Sequence, residues 1–69
     1  MLDNRLWRVR RRGQLIDATL AKAGDRWRVV FSRNGRQLFE SEFDTREQAA
    51  NAAEVRLREL ERAGWTQHW

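Results

Sequence analysis

The chain has no cysteine, no proline, one histidine, one lysine and no apolar run longer than three residues. Each absence removes a class of explanation. Without cysteine there is no disulfide staple, no thiolate metal ligand and no thiol nucleophile. The short apolar runs exclude a hydrophobic membrane-spanning helix and a secretory leader core, so a cytoplasmic chain is expected, either complete or a detached module. The lone His68 falls in the C-terminal tail, where a solvated residue is expected rather than a catalytic base. No His/Asp/Glu spacing matches a metal site. The four glycines stand singly at positions 13, 24, 35 and 64, which argues against a phosphate-cradling glycine loop and against a flexible linker. The expectation is a binding module rather than an enzyme, with no cofactor, no metal, no membrane and no small-molecule substrate.

At 69 residues the chain is one small domain whose core is only marginally sufficient, so self-association is a natural source of added stability. Net charge is +4 but unevenly spread. Residues 1–36 carry nine arginines and Lys22 against Asp3, Asp17 and Asp25, a balance of +7. Residues 37–69 carry four arginines against seven carboxylates, a balance of −3. A basic N-terminal half concentrates polyanions.

Four segments alternate apolar and polar residues with a period of two: roughly 5–11, 14–22, 26–33 and 36–43. Arg12-Gly13, Gly24-Asp25 and Arg33-Asn34-Gly35 separate them, and connections this short join only antiparallel neighbours. Two-residue turns at the first two sites pair Val9 with Ile16, Trp7 with Ala18, Leu20 with Val29 and Ala18 with Phe31, keeping apolar residues on one face. A two-residue turn at Asn34-Gly35 sends Phe39 and Phe43 to the other face. A three-residue loop with a bulge at Gly35 is therefore expected, pairing Val29 with Phe39, Arg28 with Glu40 and Arg26 with Glu42.

The segment DTREQAANAAEVRLRELERAG that follows reads as a helix. Ala49, Ala50, Ala53, Leu57 and Leu60 share one stripe. Asp44 with Glu47 is the expected capping box, Thr45 with Gln48 the alternative. Gly64 ends the helix in a left-handed cap, with Trp65 covering Leu60. The expected fold is α+β, of order ββββα: a four-stranded antiparallel meander with one C-terminal helix on one face, spanning 1–65. Residues 66–69 form a tail with no assignable pattern.

One helix leaves the other sheet face open. By parity that face carries an apolar row, Leu6, Thr19, Val30 and Leu38, among arginines and carboxylates. Arg8 faces Asp17, and Arg28 faces Glu40. Three readings fit it. It is a plain solvated face; or an interface, most simply of a homodimer packed through Leu6, Thr19, Val30 and Leu38; or a nucleic-acid surface in which Arg8, Arg10, Arg11, Arg12, Arg26, Arg28, Arg33 and Arg36 meet phosphates. Arg5 also belongs to that basic set. An outer face without aromatics disfavours base stacking and so single strands, while groove reading of double-stranded DNA needs none. Arg10-Arg11-Arg12-Gly13, a hairpin tip with three cations and no nearby carboxylate, is the strongest single candidate.

The stretch 27–53, WRVVFSRNGRQLFESEFDTREQAANAA, with its W…NG…F-D-T-x-E-x-A…A pattern, resembles the three-stranded-sheet-plus-helix DNA-binding domains of AP2/ERF plant factors and of tyrosine-integrase arm-binding domains. The resemblance implies a sheet laid in the major groove, reading DNA from the face opposite the helix. Carried over residue by residue, it implicates Arg26 and Arg28 on the strand and Arg33 and Arg36 beside its turn. The chain departs from the pattern in having four expected strands, in lacking the Tyr-Arg-Gly opening, and in placing Glu40 and Glu42 on the next strand.

Overall fold

The structure, a computed structural model, describes residues 4–67, so the expectations placed on His68 and Trp69 lie outside the described residues. Strands β1 (Arg5–Arg11), β2 (Gln14–Ala23), β3 (Arg26–Arg33) and β4 (Arg36–Phe43) form an antiparallel meander, followed by α1 (Arg46–Arg62) and a short β5 (Thr66–Gln67). The sheet order is β4-β3-β2-β1-β5. The meander and helix are those read from the pattern. β5 is an addition: the patternless tail folds back along β1, with Val9 opposite Gln67 and Arg10 opposite Thr66.

The first two hairpins take the expected register, Trp7 against Ala18, Val9 against Ile16, Ala18 against Phe31 and Leu20 against Val29. Alternation then puts Trp7, Val9, Ala18, Leu20, Val29 and Phe31 on one face, and all six are buried. Ala49, Ala53 and Leu57 of α1 complete the core, flanked by half-buried Trp27, Phe43, Leu60 and Trp65. Alanines at the helix contact let its backbone come close to the sheet. The Trp7 indole Nε1–H consequently donates to the Ala53 carbonyl at 2.9 Å, satisfying a buried polar group that otherwise has no partner in the core.

The helix ends follow local chemistry. Thr45, not Asp44, is the N-cap: its hydroxyl accepts from the Gln48 N–H at 3.1 Å, and the Gln48 side chain accepts from the Asp44 N–H at 3.2 Å. The alternative box is the one formed, and Asp44 is released to take Arg26 at 2.7 Å. At the other end Gly64 has φ +100, a left-handed value that suits glycine. Trp65 N–H reaches back to the Leu60 carbonyl (3.0 Å) and Gly64 N–H to that of Glu61 (3.1 Å), the double bond of a Schellman cap. Trp65 packs against the core as expected.

The third hairpin corrects the expectation. Its turn is the two-residue Asn34-Gly35, with positive φ at both residues and Arg33 opposite Arg36. The extra residue is placed inside β4: Ser32 faces Gln37, Phe31 faces Phe39, and Leu38 is bulged out between them. Phe39 thus keeps the helix-side face, stacked on Phe31 at 4.8 Å, but Val29 faces Ser41 and Val30 faces Glu40. An Asn-Gly turn has the twist that suits a hairpin, so the parity error is repaired in the strand rather than in the loop. β1 has the same device, with Leu6 as the extra residue between Arg5 and Trp7.

Two substitutions test this packing. Trp7→Phe removes the donor to Ala53 and part of the ring, and is expected to cost about 1–3 kcal/mol in urea unfolding. Ala53→Leu is expected to destabilise by about 1–3 kcal/mol through overpacking, whereas Ala→Leu at a solvated helix position has little effect.

Candidate nucleic-acid interface

The two bulges dissolve the apolar row expected on the open face. Leu6 packs against the core cluster, and Leu38 lies beside Ile16, Phe31, Phe39, Arg56 and Leu60 around a notch between sheet and helix. Of the four residues, Thr19 and Val30 remain as a cross-strand pair, both half-buried. Leu6, Thr19, Val30 and Leu38 therefore do not form the single cross-strand row through which a homodimer was expected to pack.

What covers the open face is a lattice of ion pairs. Arg8 meets Asp17 at 3.4 Å. Arg26 meets Glu42 at 3.3 Å and Asp44 at 2.7 Å, and Arg28 meets Glu42 at 3.0 Å and Glu40 at 3.7 Å. The expected contacts of Arg28 with Glu40 and Arg26 with Glu42 form, but as diagonals, because the shifted register sets Arg28 directly opposite Glu42. The Glu42 hydrogen bond, then the Glu40 charge, raise the Arg28 guanidinium above its ordinary value. Arg8, Arg26 and Arg28, expected to contact phosphates, are thus engaged by carboxylates.

The remaining five expected arginines share another location. In an antiparallel meander the β1–β2 and β3–β4 turns lie at the same end of the sheet, and the pairing of β5 with β1 brings the C-terminus of α1 there too. That end gathers Arg10, Arg11, Arg12, Arg33 and Arg36. No Asp or Glu occurs in residues 10–16 or 31–39 to neutralise them. The two turns are also tied together. Asn34 N–H donates to the Leu15 carbonyl (2.8 Å), Leu15 N–H donates to Asn34 Oδ1 (2.9 Å), and Arg33 Nη2 donates to Gln14 Oε1.

These arginines are not equivalent. Arg11 lies over the helix end, its Nε 3.3 Å from where a Gly64 Cβ would stand, a favourable site for a cation at a helix C-terminus. Arg33 is held by Gln14. Arg10, Arg12 and Arg36 are exposed, and no carboxylate lies within ion-pair distance of them among the described residues. Arg12 sits at φ +51, in the left-handed region, which costs a non-glycine residue about 1 kcal/mol. Arg33, Asn34, Arg36 and Leu38 line an open concavity of about 410 Å³. The notch between sheet and helix is smaller, about 120 Å³.

Sequence reasoning grouped arginines by sheet face and missed the roles of Asn34, Gln14 and Leu15. Asn34 carried a signal as the first residue of an Asn-Gly turn. Its bond across to β2 depends on strand order. Among the described residues no group of three or more His, Cys, Asp and Glu side chains is placed to hold a metal, and no helix is long and apolar enough to cross a membrane. Comparison with family models, curated proteins and solved structures finds no match.

The coupling of the turns is testable. Asn34→Gly keeps the left-handed turn but loses the side-chain acceptor, and is expected to cost about 1 kcal/mol in thermal unfolding. Asn34→Ala adds backbone strain and is expected to cost roughly 1 kcal/mol more.

Proposed function

We propose that the chain is a non-catalytic module that binds a polyanion, double-stranded DNA in particular, through the end of the sheet where Arg10, Arg12 and Arg36 project, with Arg11 and Arg33 adding charge behind them. The observation that carries this reading is the segregation of charge. Arg8, Arg26 and Arg28 are matched by carboxylates, and Arg10, Arg12 and Arg36, at the end that holds the two joined turns, are not. Unmatched guanidinium groups on a pre-ordered surface contact phosphates at little entropic cost and release counterions.

Two further features favour this reading. Two strand spacings separate the turn tips by about 10 Å, comparable with a major groove about 12 Å wide. Arg12 occupies a position that Asn or Gly fills with less strain, so the chain holds a cation at the tip against its own stability. A duplex suits the site better than a single strand. The half-buried Trp27 lies under Lys22 at 5.0 Å, and Phe39 lies under Arg56 on the helix side, so neither offers a stacking platform on the open face. This differs from the face-on docking that the AP2/ERF-like resemblance implies, since Glu40 and Glu42 stand on that face.

Fluorescence anisotropy with labelled duplex DNA, single-stranded DNA and RNA tests the reading. Arg10→Glu with Arg12→Glu is expected to abolish duplex binding, and Arg8→Gln with Arg28→Gln to leave it within about twofold. The log-log salt slope should flatten by roughly 0.9 per phosphate-contacting arginine removed. Arg12→Asn should weaken binding while stabilising the fold by about 1 kcal/mol. Weak binding that is equal for all three polymers and vanishes at physiological salt would reject the proposal.

A further inference from the structure

Strand pairing sorts the helix-side face into cross-strand rows. Ile16, Arg33 and Arg36 form the row nearest the joined turns, and Ala18, Phe31 and Phe39 form the next. Successive rows on one face stand about 7 Å apart along a strand. Both rows end at β4, which has no strand on its outer side among the described residues. β4 also carries none of the proline or lysine that commonly protects an edge. The helix leaves this corner partly open: Leu38 and Phe39 are 50% and 43% exposed, beside the notch of about 120 Å³ that Ile16 and Leu60 also line. The recess of about 410 Å³ adjoins the notch, with Leu38 common to both.

An apolar notch and a cationic recess thus lie side by side on one face of an open strand edge. Arg36 has no carboxylate within ion-pair distance among the described residues, and Arg33 is held by the neutral Gln14. Arg56, over the Phe39 ring at 5.6 Å, is instead already paired with Glu59 at 3.2 Å. The other face of the same edge has the reverse sign. There Glu40 is only loosely engaged, 3.7 Å from Arg28. We propose that this edge takes an extended peptide of a partner protein, added as an antiparallel strand along β4, with an apolar side chain in the notch, an acidic one in the recess and a basic one facing Glu40.

Alternation fixes the spacing of these three residues. The peptide residue opposite Phe39 points to the helix side and enters the notch. The residue before it lies opposite Glu40 on the open face, and the residue two places after it extends the row of Arg33 and Arg36. The order is therefore basic, apolar, any residue, acidic. The bulge at Leu38 interrupts the outer ladder, so backbone pairing runs along 39–43 and the acidic side chain alone reaches the arginines. Pockets for alternate side chains beside an unpaired edge are what strand addition uses for specificity. A free amphipathic anion leaves the β4 backbone unpaired, and nucleic acid brings phosphate towards Glu40 with no aliphatic side chain for the notch. The inference stands independently of nucleic-acid binding, although Arg36 belongs to both surfaces.

Fluorescence anisotropy of a short labelled peptide, with Lys-Leu-Thr-Glu at its centre and Ser and Thr around it, is the test at near-physiological salt. Saturable binding to the chain is expected, with Kd below about 1 mM. Replacing the peptide's Leu by Ala, or its Glu by Lys, is expected to weaken binding roughly tenfold in each case. Arg36→Glu, at an exposed position, should reverse the preference, so that this variant binds the Lys-for-Glu peptide more tightly than the original. Circular dichroism checks that the variant is folded. Amide hydrogen exchange should show protection of residues 39–42 rising as peptide is added. No binding at about 1 mM peptide overturns the proposal. So does binding indifferent to the loss of Leu, which is charge attraction alone, or protection that falls on β1 or β2. The dependence on Leu has no counterpart in nucleic acid, so failure of either reading leaves the other standing.

Discussion

The close approach of α1 to the sheet is the constraint on which the rest depends. Ala49 and Ala53 add little side-chain bulk on the helix side of the core, so the Trp7 indole can donate directly to a helix carbonyl. With so thin a core, every large side chain on β1 to β4 must either face the helix or be exposed. Leu38 and Phe39 show how tight the allocation is, since they point to the helix side and are still partly uncovered.

That allocation explains the two bulges. Strict alternation through β4 from a two-residue Asn34-Gly35 turn exposes Phe39 and Phe43 on the open face, and one extra residue restores them to the helix side. In β1 the extra residue gives Leu6 to the core as well. Both bulges lie in the outer strands of the meander, where an unpaired residue disrupts a ladder on one side only. The open face thereby loses Leu6 and Leu38, and Val30 is left there among ion pairs, which contribute little to stability at such exposure.

The fold was largely legible because its signals are local and redundant. Alternation and turn residues fixed four strands, the helix stripe fixed the buried face, and Gly64-Trp65 fixed the helix end. Where two local solutions met the same demand, sequence could not choose between them. A wider loop and a strand bulge both restore parity for Phe39, and Asp44 and Thr45 both serve as N-caps. The structure takes the bulge because Asn-Gly already forms a well-twisted turn, and takes Thr45 because Asp44 has Arg26 to bind. The arginines were legible as a basic half but not as a site. Their division into matched and unmatched groups depends on the shifted register opposite Glu40 and Glu42, and on Asn34 bonding to Leu15, nineteen residues away in sequence.

Charge is then the property that separates the surfaces of this domain: a face of paired charges and a cationic end. The central claim is that polyanions meet the end and not the face. Amide chemical-shift mapping with a short DNA duplex tests it most directly. Perturbations are expected to be confined to residues 10–15 and 33–38. Perturbations centred instead on Arg8, Asp17, Arg28 and Val30 would contradict it, and would mean that the ion-pair lattice opens to let DNA onto the sheet.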